Sequence, residues 1–480
     1  MANLLESYKN RLAISESYHK NFHGTAMSPA KKTMIAACLN NVSRFMNEAF
    51  DSSAATNRSA LGNYKKFCLN VATTALPTLI LPDLMLTQPM SSISGYVTYM
   101  NYVAGINKGA IKADETMFNS AYRLGKVTPE RTAYTSDKVV ENATEAGTLT
   151  FMWTPLAAGA FGKNADGTTR DVKIVKADGS VKFETLDKDA DGNITATGVT
   201  VEEGDRVAYA YNNEVIPQFD NNTANTGKAY NSIPTLKAEM SVIDLHAHAR
   251  RIAVYYSQIA AFQAKTDYGF DLGQQLATQA QGELAYEIDT EGVMMLVDGA
   301  EHRDEYDLDF DKYETANQNT YISRSQYYEG FAEVVGRAKM VIYNRTQKYA
   351  PNYMIIGTDL VPILPYLKGW KAASAATVNG PYFAGTLDGL KVYVSPAMKP
   401  EEYVFGINGS DLQTSAAVYA PYMPIVPTQL LGFADGSMTQ GFSTMYDMKL
   451  LATYNRNEKD EAVDSKEGQY SYLLVKGMLK

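Results

Sequence analysis

The sequence has little of what a membrane or secreted protein needs. No window supplies the ~20 uninterrupted apolar residues of a membrane-spanning helix, and the most apolar stretch, residues 75–100, is broken by three prolines and by Asp83. The N-terminal residues carry charges throughout and contain no apolar signal-peptide segment. The only cysteines, Cys38 and Cys68, are too few for a disulfide framework. We therefore expect a soluble protein of a reducing compartment, without a membrane partner.

Signatures of nucleic-acid binding and of catalysis are also sparse. The net charge of −9 is opposite to the basic balance that tight electrostatic binding of nucleic acid requires, although a protein that merely encloses nucleic acid needs no such balance. The sequence has no phosphate loop, no Gly-rich dinucleotide fingerprint, no Cys/His metal cluster and no G-x-S-x-G elbow. We expect a protein that is not an enzyme.

Length and composition indicate a globular protein with more than one domain. The chain has 480 residues, which exceeds one simple core, and its hydrophobic and charged fractions of 45% and 20% are those of folded proteins. Tyrosine is abundant, at 33 residues. Because tyrosine is enriched where protein surfaces meet, this indicates wide contacts between subunits, although an ordinary tyrosine-rich core would also explain it.

The character of the chain changes along its length. Residues 1–70 are predicted to be helical and polar, with a linker at 49–60. Residues 157–235 are short alternating runs, which predict a small all-β unit inserted into the chain. Asp-Gly pairs between alternating runs favour hairpins. The turn signals are Asp178-Gly179, Asp191-Gly192 and Gly204-Asp205.

A long helix is predicted over residues 272–298. Apolar residues recur there at spacings of four and three, which mark one helical face. Asp271 is placed to cap its start, with Gln274 positioned for a capping box, and Gly299 is a plausible stop. A second helix follows and is predicted to end at Pro351, and Asp388-Gly389 predicts a hairpin turn beyond it. Strands and helices then mix without steady βαβ alternation, which indicates an α+β protein.

The sharpest enzyme-like signal is an H-x-H pair, His246 and His248. Metal-dependent amidohydrolases begin their metal site in this way, because alternate strand residues face one side. Further histidines and an aspartate would have to follow, but the sequence has five histidines and only His302 comes later. Short motifs also match often by chance. The alternative is that both histidines are polar residues on the solvated face of a strand.

A partial calcium-loop pattern lies in the predicted β unit. Asp187, Asp189 and Asp191, followed by Gly192, match the first half of an EF-hand loop, with oxygens at alternate positions. The twelfth position, where a bidentate Glu is expected, is Gly198. The residues allow a Ca²⁺-binding turn, and the alternative is an exposed hairpin loop rich in Asp and Gly. We expect no other cofactor. The acidic run at 301–311 is predicted to be a solvated loop or face.

The apolar stretch carries a family resemblance. Residues 75–100 run from a hydrophobic segment into Gln88-Pro89-Met90 and then into a strand-like segment. This order resembles the major capsid proteins of T-even-type tailed bacteriophages. Collinear segments elsewhere also resemble that family, at residues 238–296, 352–364, 419–426 and 441–455, with the E-L-A-x-E-I-x-x-E pattern at 283–291 and an Ala-Pro-Tyr motif at 420–422. Residues 157–235 and both ends of the chain match poorly.

The resemblance implies the HK97-type capsid fold with an inserted all-β domain. The expected parts are an N-terminal arm region at 1–75, the P-domain start and E-loop at 76–156, the inserted β domain at 157–235, the P-domain with its spine helix at 236–350, the A-domain at 351–425 and a C-terminal return to the P-domain at 426–480. In such a fold, a broken apolar arm is expected to be buried by neighbouring subunits.

The implied function is self-assembly of a major capsid protein into hexamers and pentamers of an icosahedral phage head around double-stranded DNA. Expected partners are further copies of the chain and other capsid, portal, scaffold or decoration proteins, with the DNA enclosed but not bound sequence-specifically. The expected location is the virion, assembled in the host cytoplasm. The alternatives are an encapsulin-like compartment, whose chains are usually shorter, and the metal-dependent amidohydrolase.

Relatives are often trimmed by a maturation protease after a hydrophobic-x-Glu pattern. Ile14-Ser15-Glu16 and Leu4-Leu5-Glu6 fit that pattern, and Glu16 is the candidate cleavage site. We expect the N-terminus to remain uncut. A particle-derived chain that begins at Ser17 would contradict this.

Overall fold

A computed structural model defines the fold. It describes residues 2–51, 58–105, 138–143, 145–151, 161–186, 198–210, 236–303, 307–308, 324–346, 349–373, 380–428, 430–451, 453–455 and 469–479. The chain forms two compact units. Unit 1 comprises residues 1–98, 120–124 and 242–480, and unit 2 comprises residues 99–119 and 125–241.

The described helices lie mainly in the first quarter of the chain and around residues 258–346. They are α1 (Ala2–Ser7), α2 (Lys9–His23), α3 (Pro29–Asp51), α4 (Arg58–Ala75), α5 (Leu81–Leu84), α6 (Gln258–Asp267), α7 (Leu272–Asp298), α8 (Arg324–Glu329) and α9 (Phe331–Thr346). Short 3-10 turns lie at Leu76–Thr78, Thr358–Leu360, Leu364–Tyr366 and Leu412–Thr414.

The described strands of the first half of the chain include all those of unit 2. They are β1 (Leu86–Thr87), β2 (Ser94–Ala104), β3 (Lys138–Asn142), β4 (Gly147–Thr150), β5 (Val172–Val175), β6 (Val181–Glu184), β7 (Gly198–Val201), β8 (Arg206–Ala210), β9 (Leu236–His246) and β10 (His248–Ser257).

The remaining described strands belong to unit 1. They are β11 (Glu301–His302), β12 (Tyr353–Ile356), β13 (Trp370–Ala372), β14 (Tyr382–Leu387), β15 (Leu390–Val394), β16 (Glu402–Gly406), β17 (Ala417–Pro427), β18 (Leu431–Gly432), β19 (Ser437–Leu450), β20 (Thr453–Asn455), β21 (Gln469–Ser471) and β22 (Leu474–Met478). Helices and strands therefore mix along the chain, and the predicted α+β class is confirmed.

Two larger sheets organise unit 1. One has the order β1-β17-β19-β10, with β18 also paired to β19, and the other has the order β11-β22-β16-β12-β15-β14-β13. In the first sheet β10 and β19 run antiparallel over ten residue pairs, from His248 opposite Tyr446 to Ser257 opposite Ser437. The main hydrophobic core is lined by residues of both sheets and of α3, α7 and α9.

The long helix predicted from the apolar spacing is α7, and its predicted limits are confirmed. Asp271 precedes the helix and its side chain accepts a hydrogen bond from the Gln274 N–H at 3.1 Å, and Gly299 closes the C-terminus. At 27 residues the helix is about 40 Å long, at about 1.5 Å per residue. The second predicted helix is α9, which ends at Thr346, before Pro351.

Turn predictions were confirmed at the described hairpins. Asp388 and Gly389 join β14 to β15 with φ angles of 46° and 83°, the left-handed region that such a tight turn requires. Asp178-Gly179 lies in the longer turn that joins β5 to β6, where Gly179 has a left-handed φ of 85°. Asp191-Gly192 lies outside the described residues.

Unit 2 departs from a simple series of hairpins. Its described strands form one sheet in the order β3-β8-β5-β6 and one pair, β4-β7. The Gly204-Asp205 turn therefore joins β7 to β8 across two sheets, and the hairpin predicted there is wrong. Alternation identifies strands, but partner choice depends on which apolar faces share a core. The sheet also includes β3, which precedes residue 157.

Two other predictions were wrong in part. The linker expected at 49–60 is helical at both ends, because α3 continues to Asp51 and α4 begins at Arg58. The acidic run at 301–311 is not wholly solvated, because Glu301 is buried in β11 and pairs with Arg303. Asp307 accepts a hydrogen bond from the Met478 N–H at 2.9 Å. These carboxylates are buried because each has a donor.

Candidate functional site

The apolar segment that opens the family resemblance is buried within its own chain. The fully or nearly fully buried residues are Leu79, Ile80, Leu81, Leu84 and Met85. They belong to the main core, beside residues of α3 and α7. The expectation that neighbouring subunits cover this arm is therefore wrong for residues 76–85. Exposed apolar side chains begin only later, at Ile93 and Tyr96.

The structure brings together two motifs that lie far apart in the sequence. Gln88 donates its N–H to the Tyr419 carbonyl at 2.9 Å, and Met90 donates to the Pro421 carbonyl at 3.0 Å. The Asn41 side-chain amide then donates to the Met90 and Tyr422 carbonyls, both at 2.8 Å. The Gln-Pro-Met tripeptide thus extends along β17 beside the Ala-Pro-Tyr motif, and α3 fixes both.

Helix α7 holds the buried segment at two neighbouring positions. The Asp289 carboxylate accepts hydrogen bonds from the Ile80 N–H at 3.1 Å and the Leu81 N–H at 3.3 Å. One turn later Gly292 leaves space for Leu81, since a Cβ there would lie 2.3 Å from a Leu81 methyl carbon. Burial raises the pKa of Asp289 to about 7, and the two backbone N–H groups act in the opposite direction.

A buried lysine fastens the same segment from the side of α3. Lys31 is fully buried and its Nζ donates to the Leu79 carbonyl at 2.6 Å and to Asp83 at 3.4 Å. Burial lowers the pKa of Lys31, while Asp83 and Asp289 raise it. Burial acts to raise the pKa of Asp83, but the positively charged groups around it, of which Lys31 has the largest effect, together lower it. Together with Asp289, these groups form a buried polar cluster.

This cluster was not predicted from the sequence. Lys31 lies in an ordinary helical stretch, and Asp83 was noted only as an interruption of an apolar run. Asp289 falls inside the E-L-A-x-E-I-x-x-E pattern among other acids. The available signal was that Ile288, Asp289 and Gly292 share the apolar face of a predicted helix, where a charge needs a buried partner.

The H-x-H histidines lie where β9 turns into β10. His246 ends β9 and His248 begins β10, both exposed, with ring centroids 5.2 Å apart. The His246 Nδ1 lies 3.0 Å from the Ser94 hydroxyl. The backbone N–H of His246 donates to the Asp447 carboxylate at 2.7 Å. Within the described part of the chain, no three His, Cys, Asp or Glu side chains are grouped to hold a metal ion.

Of the other predicted site residues, the structure describes only Glu16, which is not part of the buried polar cluster. Asp187, Asp189 and Asp191 lie outside the described residues. Glu16 is half-exposed in α2 and pairs with Lys32 at 2.9 Å. None of the helices among the described residues is both long enough and apolar enough to span a membrane.

Several large apolar side chains of unit 1 are exposed. In α6 only Ala264 is buried, while Ile259 and Phe262 are 73% and 71% exposed. Tyr255 of β10 lies opposite Thr439 of β19, as does Leu431 of β18, and both are more than half exposed. Sheet-paired residues point to the same face. Exposed apolar groups of this kind mark surfaces that contact other molecules.

These exposed apolar residues give unit 1 surfaces that are suited to contact with other chains. The sequence profile of the Major capsid protein Gp23 family matches residues 61–475. The chain belongs to this family and is a capsid-forming protein of the bacteriophage type. The hydrolase alternative finds no support in these comparisons.

Solved structures with some likeness come from phages and from a bacterial compartment. A chain from Microbacterium phage Oxtober96 has 11% identity and a TM-score of 0.34, with 83% of this chain and 90% of that chain covered. The mature capsid of bacteriophage PhiM1 has 10% identity and a TM-score of 0.31, covering 51% and 74%.

The compartment is the holo-SrpI encapsulin complex of Synechococcus elongatus. It has 10% identity and a TM-score of 0.31, covering 51% of this chain and 77% of that chain. No curated protein matches the sequence. The family assignment rests on the sequence profile.

Proposed function

We propose that this protein is the main building block of an icosahedral bacteriophage head, in which hexamers and pentamers of the chain enclose double-stranded DNA. The observation that carries the proposal is the family match over residues 61–475, which includes the buried segment and α7. The subunit is proposed to have the HK97-type organisation, with α7 as the spine helix of the P-domain.

The domain limits follow the same proposal. They are an N-terminal arm region at 1–75, the P-domain start and E-loop at 76–156, an inserted β domain at 157–235, the P-domain at 236–350, the A-domain at 351–425 and the return to the P-domain at 426–480. Helix α7 braces unit 1 because its Asp289 and Gly292 fix the segment that leads into β1.

A contact surface between copies is proposed on α6 and on the neighbouring end of the β18-β19-β10 sheet. Ala264 is the only buried residue of α6, so little of the chain's own core covers it. Ile259 and Phe262, three residues apart on α6, project apolar side chains away from the subunit. The occupant is a second copy, since a capsid-forming chain must bury part of its surface against identical chains.

The proposed setting follows from the same assignment. The chain would be assembled in the host cytoplasm and reside in the virion, with portal, scaffold or decoration proteins as partners. Its net charge of −9 suits a container that encloses DNA without gripping it. Glu16 stays the candidate cleavage site, with the N-terminus expected to remain uncut, and a Ca²⁺ turn at Asp187, Asp189 and Asp191 remains a prediction.

Electron microscopy of the purified full chain, and of particles that contain it, tests the proposal. We expect closed shells or hexameric sheets with thin subunits, and DNA inside the phage particles. Shells that hold a protein cargo without a genome would favour the encapsulin-like alternative. A monomer that carries stoichiometric zinc, together with hydrolase activity that is lost in His246→Ala, would favour the enzyme.

The contact surface is tested with Phe262→Asp. We expect this variant to lose assembly while its monomer keeps the thermal midpoint of the unchanged protein, because Phe262 is exposed in the monomer. Gln263→Asp is the matched control, since it adds the same charge to the next exposed position of α6. Assembly of Phe262→Asp at the unchanged concentration dependence would contradict the surface.

A further inference from the structure

Helix α2 is attached to unit 1 through an unusually polar face. Its buried residues are Leu12, Ser15, His19 and His23. The following helix, α3, is attached very differently, because it buries Met34, Ile35, Cys38, Leu39, Val42 and Met46. Burial of apolar surface holds α3 at any pH, whereas the C-terminal half of α2 depends on hydrogen bonds from groups that include two imidazoles.

All three polar side chains of this face bind backbone carbonyls just before the buried segment. The Ser15 hydroxyl donates to the Thr73 carbonyl at 2.9 Å. His19 Nδ1 and His23 Nε2 lie 3.1 Å and 3.2 Å from the same carbonyl, that of Pro77. Because a carbonyl only accepts, each ring nitrogen must carry a proton, and a neutral imidazole meets this need.

The surroundings disfavour a second proton on either ring. The ring centroids are 4.5 Å apart, so two imidazolium charges would repel each other. The charged groups that act on the two rings are Lys31 of α3, Asp83 of α5 and Glu16 of α2. Lys31 adds a further positive charge, and Asp83, the nearest counter-charge, is already paired with Lys31 at 3.4 Å.

Two further charged groups, Asp289 and Lys391, act on Lys31. Asp289 of α7 acts on Lys31 and is engaged by the backbone N–H groups of Ile80 and Leu81. Lys391 of β15 acts on Lys31 and on Asp83 and adds positive charge. Glu16 is engaged by Lys32 at 2.9 Å. The carboxylates that act on the rings, Asp83 and Glu16, therefore already have partners, and Glu283 of α7, which lines the groove beside His23, is exposed, so that solvent screens its charge.

Solvent can reach the His23 ring. A groove of about 530 Å³ opens along this side of α2, and its lining includes Tyr18, Phe22 and His23 from α2 and Tyr286 and Asp289 from α7. Protons can therefore exchange with His23 without complete unfolding of the unit.

We propose that the segment from Ser15 to His23 is an acid-released latch, which is docked while His19 and His23 are neutral and which detaches, with α3 still in place, when they are protonated. This goes beyond the assembly function and does not depend on it. Release would expose the Pro77 carbonyl. It would also make the backbone at Ile14-Ser15-Glu16 accessible to a protease, whereas the docked helix resists cleavage.

The direction of the pH dependence follows from the shifts. Burial, and then Lys31, lowers the pKa of His19 below 6.5 and that of His23 to about 3. The detached segment therefore binds more protons than the docked one, and docking is strongest above pH 6.5 and weakens as pH falls below that value. If both rings stay neutral when docked and titrate near 6.5 when detached, acidification from about pH 7.5 to about pH 5.5 weakens docking by up to about a hundredfold.

The stability contribution of Asp289 has the opposite pH dependence, but it concerns a different contact. Its pKa is raised to about 7, so the protonated carboxyl is favoured by folding and its contribution grows as the pH falls through 7. Because Asp289 binds the backbone of the buried segment and not α2, its protonation does not hold the latch.

Hydrogen exchange read by mass spectrometry on the full chain is the test, at about pH 7.5 and about pH 5.5, with rates corrected for intrinsic exchange. We expect protection of residues 15–23 to fall by at least about tenfold, towards the hundredfold limit, while protection of α3 is unchanged. Equal protection of residues 15–23 at both pH values would overturn the latch, as would equal loss in α3.

A double variant separates titration from hydrogen bonding. In His19→Asn with His23→Gln, the side-chain amide nitrogens take the places of Nδ1 and Nε2, so both donors to Pro77 remain but neither titrates. We expect its residues 15–23 to stay protected at both pH values. A loss on acidification equal to that of the unchanged protein would overturn the assignment. His248→Gln, at an exposed histidine, is the matched control and should keep the full pH response.

If the double variant does not dock at neutral pH, a second measurement tests the proposal on the unchanged protein. The slow exchange of the imidazole C2 hydrogen in the unchanged protein reports each histidine pKa directly. We expect both His19 and His23 to titrate below 6.5. Titration of both residues at or above this value would overturn the proposal.

Discussion

Lys31 shows how a single charged residue can be required in a hydrophobic core. Its ammonium group is fully buried, and it is tolerated there because the Leu79 carbonyl and Asp83 both accept from it. A buried charge without such partners would be strongly unfavourable. The lysine thus fixes the segment between α4 and β1 at a point where apolar contacts alone would allow it to slide.

Replacing Lys31 and Asp83 together is expected to cost less unfolding free energy than the two single replacements added. Lys31→Met leaves Asp83 without its counter-charge and should lower the free energy of unfolding by about 3–5 kcal/mol. Lys31→Met with Asp83→Leu should cost less than the sum of the single variants, because neither charge then remains unpaired. Urea denaturation of the four proteins of this cycle gives the coupling energy, and strictly additive costs would contradict a mutual dependence.

At the scale of secondary-structure elements, α7 and the buried segment depend on one close approach. Leu81 lies directly over Gly292, where a Cβ would come within 2.3 Å of its methyl carbon. Neither partner can move far, because Asp289 holds the Leu81 N–H one turn away. The approach therefore sets how closely the segment packs against the helix.

Gly292→Ala is expected to be destabilising although alanine favours helices. Overpacking at this contact should cost about 1–3 kcal/mol of unfolding free energy, measured by thermal or urea denaturation. Gly282→Ala is the matched control on the same helix, because it is exposed and no atom lies within 4 Å of its Cβ position. It should stabilise by up to about 1 kcal/mol. Equal effects at the two positions would show that packing against Leu81 is not the cause.

Elements defined by local signals could be predicted from the sequence. The limits of α7 follow from its apolar spacing, from Asp271 and from Gly299, and the β14–β15 hairpin follows from Asp388-Gly389. Both depend on residues within a few positions of each other. The prediction failed at Gly204-Asp205, because the partners of β7 and β8 are decided by distant strands.

The candidate site could be predicted only in pieces. The Gln-Pro-Met and Ala-Pro-Tyr motifs are visible in the sequence, but their pairing joins Gln88 to Tyr419 across most of the chain. The buried polar cluster joins Lys31, Asp83 and Asp289, which are also far apart in the sequence. A carboxylate that will be buried is indistinguishable in sequence from one that will be solvated, because the difference lies in a donor supplied by another element.

At the scale of the whole molecule, the two compact units have separate hydrophobic cores. The core of unit 2 is built from its own strands, with Val172, Val207 and Tyr209 fully or almost fully buried. The cores of unit 1 are built from residues that precede Tyr99 or follow Ser241. Because each core is made within its own unit, each unit has the main requirement for folding alone.

Deletion of unit 2 is therefore expected to leave unit 1 folded. A variant that joins Ala104 of β2 to Leu236 of β9 through a short Gly-Ser linker keeps both strands whole and removes residues 105–235, with the core around Val172. We expect calorimetry to show one cooperative transition near that of unit 1 in the full chain. A second transition, present only in the full chain, belongs to unit 2. Loss of every cooperative transition in the deletion variant would mean that unit 1 needs the inserted residues to fold, and the units would then be one folding domain despite their separate cores.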